Sequence, residues 1–237
     1  MKSVNLLIPR SKSLKERAYG VLKELIFTGK LEPGNLYNES RLAESMGVSR
    51  TPVREALLEL SREGMVTFMP GRGVKVQKIT KEQVRDVYEI RKIIEGYVIK
   101  KITRQLTSSD LTKIRDIIVR QEKMSERKDR LAFIETDREM HFYLSAKLGN
   151  RQMDAVLFNL RDQIQRMGIK AVEEDARSLL VIGEHYEILS ALERKNEKEA
   201  YDKLMLHLCN SEESLVSSID EDEDDGVDDL IQHDIRR

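Results

Sequence analysis

Leu42-Ala43-Glu44-Ser45-Met46-Gly47-Val48-Ser49-Arg50-Thr51-Pro52-Val53-Arg54-Glu55-Ala56-Leu57 decides the fold of the N-terminal part of this chain. It reads as two short helices joined by a tight turn. Gly47 supplies the left-handed backbone that ends the first helix. Ser49 occupies the N-cap position of the second, and Pro52 falls in its first turn, where a missing N–H costs nothing. Val53, Ala56, Leu57 and Leu60 recur at helical spacing and mark one face as core. Arg50, Thr51 and Arg54 lie off that stripe, on an arc of about 100° at one end of the helix. Two guanidinium groups and a hydroxyl at a helix N-terminus suit phosphate contact and bidentate reading of guanine in a major groove. A helical hairpin with a merely solvated charged face carries the same local pattern.

The flanking segments favour the DNA-binding alternative. After Gly64, Val66, Phe68, Val74 and Val76 alternate around Pro70-Gly71-Arg72-Gly73, the pattern of a β-hairpin whose glycine-rich tip exposes one arginine. Helix, turn, helix and basic hairpin together predict a winged helix-turn-helix, whose wing can reach the minor groove or the backbone. Upstream, Ser13-Leu14-Lys15-Glu16 has the form of a capping box. It opens a helix whose expected buried stripe is Leu14, Ala18, Val21, Leu22, Leu25 and Ile26, stopped by Gly29 before a Glu32-Pro33-Gly34 turn.

The segments Gly29-Lys30-Leu31-Glu32-Pro33-Gly34, Glu39-Ser40-Arg41-Leu42-Ala43 and Gly47 to Leu57 resemble the N-terminal domain of GntR-family bacterial transcription regulators. The resemblance implies that Ser49, Arg50, Thr51 and Arg54 contact bases or phosphates, together with the wing tip Gly71, Arg72 and Gly73. The family often places an arginine just before the first helix of the pair. Here Ser40 stands there with Arg41 beside it, which implies a different operator sequence.

The 237 residues are too many for one winged helix and predict a second core. The net charge of −1 hides an asymmetry: residues 1–80 hold 14 Lys+Arg against 8 Asp+Glu, and the remainder 27 against 34. A basic module on an acidic body is the electrostatic footprint of a DNA-binding arm on a regulatory domain. No long apolar run predicts a membrane span, and no leader segment is evident. The lone Cys209 excludes an internal disulfide and fits a reducing cytoplasm, with the protein on the bacterial nucleoid when bound to DNA. The expected organisation is a basic arm over 1–12, the winged helix-turn-helix over 13–78, an all-α domain over 79–218 and an acidic, disordered tail over 219–237. DNA mimicry is the alternative role for that tail.

From Thr80 onward the only period is helical. Thr80-Lys81-Glu82-Gln83 is a second capping box, opening a helix with Val84, Val87, Tyr88, Ile94, Val98 and Ile102 on one face. Further helices are expected at about 109–127, 129–148, 151–171, 176–195 and 197–218, giving a mainly α protein with a bundle of six or seven helices. The order of Arg91 with Glu95, Asp137 with His141-Phe142, Leu148-Gly149-Asn150, Glu184-His185-Tyr186-Glu187-Ile188-Leu189 and His207-Leu208 resembles the FCD ligand-binding domain of the FadR subgroup of that family.

Asp137 and His141 are four apart and share a helix face. His185 falls on the stripe of Ile182, Ile188, Leu189 and Leu192, and His207 lies beside Leu204 and Leu208. Three inward imidazoles and a carboxylate need partners, and a shared divalent metal (zinc, nickel, iron or manganese) would satisfy all four; a metal-free polar pocket is the alternative. The FCD resemblance implies a small carboxylic-acid effector beside that metal. Arg91 is then a bidentate clamp on the acid, or else the ion-pair partner of Glu95. Asn150 lines the pocket or caps a helix, and Arg161 or Arg166 also has the reach to enter it.

The expectation is a metabolite-responsive transcription regulator, a repressor, that binds a double-stranded DNA operator as a homodimer and is not an enzyme. A metal-dependent enzyme using the same Asp/His3 set, and a nonspecific architectural DNA-binding protein, are the alternatives. The first lacks a spare His or Cys for acid–base work, and the second leaves the inward histidines unexplained.

Overall fold

The computed structural model describes residues 12–171 and 175–219. The chain divides into two compact units at Lys78–Ile79. All of the expected arm except residue 12, and the acidic tail from residue 220, lie outside the described residues. So do the side chains of Arg161 and Arg166.

The first unit runs α1 (Leu14–Phe27), β1 (Leu36–Tyr37), α2 (Glu39–Ser45), α3 (Arg50–Arg62), β2 (Val66–Met69) and β3 (Gly73–Val76). Both halves of the Ser13–Glu16 capping box are made. Helix α1 packs on α3, and its buried residues are Ala18, Leu22 and Ile26, with Leu25 half-buried. Leu14 and Val21 are exposed instead, because a single supporting helix covers only the narrower i, i+4, i+8 row. Helix α2 begins two residues earlier than the resemblance implied: Asn38 caps it by accepting from Ser40 N and Arg41 N, so Ser40 and Arg41 sit in its first turn. Gly47 has φ +64°, as the turn demands.

The wing pairs β2 with β3, Phe68 opposite Val74, and β1 adds a third, antiparallel strand on the far edge of β3. A two-residue strand carries too little alternation to be legible in sequence. It explains Gly73, whose φ is +126° and where a Cβ would lie 2.3 Å from the Tyr37 carbonyl oxygen.

The second unit holds six helices among the described residues: α4 (Lys81–Ile102), α5 (Ser108–Glu126), α6 (Arg130–Leu148), α7 (Arg151–Ala171), α8 (Asp175–Glu193) and α9 (Glu197–Ser217). Thr80 and Thr107 head capping boxes with Gln83 and Asp110. Gly149 ends α6 in the left-handed conformation, and Asn196 caps α9. Helix α4 lies against α9 and α6, α5 against α6 and α8, and α8 against α9, enclosing one apolar core. Ile219, expected in the tail, is buried in that core. Among the described residues no helix is long and apolar enough to cross a membrane.

Candidate metal centre and nucleic-acid interface

Three helices bring Asp137 and His141 (α6), His185 (α8) and His207 (α9) to one point inside the bundle. One ligand atom from each lies within 4.8 Å of all the others. His141 Nε2 is 3.2 Å from His207 Nε2 and 3.8 Å from Asp137 Oδ2, and His185 Nε2 is 3.4 Å from Asp137 Oδ1. Two nitrogens bound to one ion at about 2.0–2.1 Å stand roughly 3.0–3.4 Å apart.

The opposite edge of each ring fixes its tautomer. His141 Nδ1 faces Glu95 Oε2 at 2.5 Å, His185 Nδ1 faces Gln121 Oε1 at 2.7 Å, and His207 Nδ1 faces Glu184 Oε2 at 2.8 Å. An oxygen acceptor on Nδ1 places the proton there and leaves Nε2 as a lone pair directed at the centre. Gln121 is oriented by its own amide, which donates to Asp137 Oδ1. His185 Nε2 is buried and, among the described residues, has no hydrogen-bond partner. Burial, with His207 and His141 close by, pushes the His185 imidazolium well below its usual range, and burial lowers His207 as well. The donor set therefore fits a divalent cation, with converging lone pairs and each ring held from behind.

The arginines paired with Glu95 and Glu184 line a cleft beside the centre. Tyr88, Arg91, Phe133, Asp137, Arg177, His207 and Ser211 face a space of about 430 Å³, open mouth included. Arg91 Nε donates to Glu95 Oε1 at 2.7 Å, and its guanidinium carbon lies 5.0 Å from the Tyr88 ring centre. Arg177 donates from Nη1 and Nη2 to the two oxygens of Glu184, and from Nη2 to Ser211 Oγ. Burial alone would raise the Glu95 carboxyl, but Arg91 and His141 outweigh it and hold the group well below the usual carboxylate range. Glu184 is lowered to about 2 in the same way, burial being overcome by its bonds from His207 and Arg177. Each carboxylate thus joins one cleft arginine to one histidine of the centre. Asn150 takes the capping alternative: its Oδ1 accepts from Gln152 N and Met153 N, and it is not among the described residues lining the cleft.

In the first unit, Ser40, Arg41, Ser49, Arg50, Thr51, Arg54 and the wing-tip Arg72 are all exposed. Ser49 holds the N-cap position of α3, but its hydroxyl makes no capping bond and stays free of the helix. Arg54 Nη1 donates to both oxygens of Glu39 at 3.1 Å, and Arg50 Nε lies 3.5 Å from Glu39 Oε2. Phe68 of β2 lies near the Arg54 guanidinium, ring centre to carbon 5.6 Å.

Residues 14–76 match the family described as bacterial regulatory proteins of the gntR family, and residues 86–210 match the FCD domain. The chain belongs to the GntR family. This GntR chain is 27% identical over 204 residues to the HTH-type transcriptional regulator YdhC of Bacillus subtilis (strain 168), covering 86% of this chain and 91% of that one. It is 26% identical over 202 residues to the HTH-type transcriptional repressor RspR of Escherichia coli (strain K12), covering 85% and 89%. A GntR transcriptional regulator from Rhodococcus sp. RHA1 has the same fold, with a TM-score of 0.75 at 20% identity over 88% of this chain and all of that one. The GntR chain is a transcriptional regulator with a DNA-binding domain, and its relatives are named as regulators, not as enzymes.

Three supporting residues escaped the sequence reading. Gln121 did leave a signal, a lone amide on the Ile114, Ile117, Ile118 stripe of α5. Glu39 and Arg177 left none, because a charged residue near a helix start reads as solvated.

Proposed function

We propose that this regulator senses a small organic acid at a divalent ion held by Asp137, His141, His185 and His207, and passes its state to operator binding. The observation that carries the reading is the convergence of three imidazole Nε2 atoms, among them the buried His185 Nε2, which has no hydrogen-bond partner among the described residues. A bound zinc, nickel, iron or manganese ion would supply an electrophilic centre with room for a carboxylate oxygen as a further ligand. Arg91 and Arg177 line the adjoining cleft and would receive the rest of the acid through charge-assisted hydrogen bonds. At the other end of the chain, Arg50, Thr51 and Arg54 would enter a major groove while Ser49 and the first turn of α2 meet phosphates and Arg72 meets the neighbouring backbone or minor groove.

A homodimer presenting two such helices would read a near-palindromic operator. The repressor sense is supported by the name of RspR, and a cytoplasmic setting by the DNA-binding role. Acid and DNA would then be linked reciprocally, with a coupling of about 1–3 kcal/mol. The test is a native mass spectrum of the full chain purified without chelator. A dimer carrying one divalent ion per chain, with added mass from a trapped acid, supports the whole reading. A dimer that stays metal-free after incubation with each of the four ions overturns the metal centre and leaves the winged helix in place.

A further inference from the structure

The side chain that limits where Arg54 can point is a buried carboxylate on the other helix of the pair. Glu39 is 7% exposed, whereas the side chains of Arg54 and Arg50 are 51% and 58% exposed. A carboxylate is buried only when it is paired and hydrogen-bonded, and the partners of Glu39 are these two arginines of α3. Its place in the first turn of α2 adds the favourable end of a helix dipole. The geometry of the Arg54 contact is selective. Only Nη1 is engaged, by both carboxylate oxygens, and among the described residues Nε and Nη2 have no protein partner. Those two nitrogens share one edge of the guanidinium, the edge that forms a two-bond fork with an acceptor pair such as guanine O6 and N7. From the wing, the Phe68 ring restrains the same guanidinium.

We infer that Glu39 is a positioning residue for operator reading: held by its carboxylate, Arg54 presents its Nε/Nη2 edge to a guanine in a fixed direction. Rotamer freedom that a long side chain would otherwise lose on binding is lost before DNA arrives, and misaligned bases find no second rotamer to meet them. Pairing with two arginines also leaves the cluster with net positive charge, so Glu39 does not repel phosphate. The inference rests on the reading that α3 enters the major groove.

The test is enrichment of a randomised DNA duplex pool by the full-length protein, comparing wild type, Arg54→Ala and Glu39→Gln. Arg54→Ala identifies the base pairs that Arg54 reads. Glu39→Gln, close in shape but without the charge, is expected to lower the preference at those same base pairs about tenfold, with an unchanged thermal midpoint and salt slope. Glu39→Asp, which keeps the charge and shortens the reach, decides the matter if the glutamine variant does not fold, and is expected to shift preference at the same positions. If Glu39→Gln keeps the wild-type preference, or tightens binding equally on every sequence, the positioning role is overturned while the reading of α3 stands. If Arg54→Ala itself leaves the preference unchanged, the base-reading assignment fails first.

Discussion

Oε2 of Glu95 lies 2.5 Å from Nδ1 of His141, while the other oxygen of the same carboxylate accepts from Arg91. Arg91 is therefore both a cleft arginine and the counter-ion of the carboxylate that orients a candidate metal ligand. Replacing Glu95 by glutamine removes the charge that makes His141 a stronger donor, and leaves Arg91 to seek another anion. Glu95→Gln is expected to weaken zinc binding about 10–100-fold, read by competition with a chromophoric chelator. Unchanged zinc affinity would mean that Glu95 serves Arg91 alone.

The inward placement of the three histidines is legible because an imidazole on an apolar stripe is anomalous at once. His185 among Ile182, Ile188 and Leu189 needs only helical spacing to be placed inside. The partners behind the rings are not, since Glu95 at i+4 from Arg91 satisfies the ordinary helix ion pair and hides its second bond to α6. The helix boundaries came from caps and were close: 151–171 was expected and Arg151–Ala171 is found. Strand β1 and the contact of Glu39 with α3 depend on how distant segments meet, which spacing along the chain does not encode.

The two wing glycines are expected to respond differently to alanine. At Gly71, φ is +69° and the space beyond is open, so Gly71→Ala meets only the left-handed strain of about 1–2 kcal/mol. At Gly73 the added Cβ would stand 2.3 Å from a backbone oxygen of β1, at φ +126°. Gly73→Ala must move β1 away from β3 as well, and a loss of at least about 3 kcal/mol follows. Hydrogen exchange of the Val74 and Val76 amides in the full chain checks this. Equal protection in the two variants would show that β1 yields without cost.

Acid should loosen the start of α5 in a defined window. Lys147 beside Asp110, aided by Thr107 and Tyr143, holds this carboxyl well below the usual carboxylate range. A folded-state value below the unfolded one means that the unfolded chain binds more protons between the two. The stabilisation is therefore full above about pH 5 and is lost as the pH falls below about 4, toward the folded value. Lys147 is 35% exposed, so screening limits the contribution to about 1 kcal/mol. Asp110→Asn should cost that amount in urea unfolding at neutral pH, with the gap to wild type narrowing below about pH 4. A gap that stays constant with pH would assign the effect to shape and not to charge.

Arg177 distinguishes acid sensing from metal holding. Its guanidinium lines the cleft, yet it also pairs with Glu184, which accepts from His207. If its main role is to receive the acid, Arg177→Gln removes a charged hydrogen bond of about 1.5–3 kcal/mol, and carboxylate affinity falls about 10–100-fold at unchanged metal content. If its main role is to hold Glu184 against His207, metal content falls first and acid binding follows it. Isothermal titration of the zinc-loaded protein with acetate, lactate, succinate and citrate, alongside elemental analysis of the same samples, separates the two. The expected result is full zinc occupancy with weakened binding of whichever acid the wild type prefers. Loss of zinc would move Arg177 from the effector site to the support of the metal centre, and Arg91 would then be the one cleft arginine still assigned to the acid.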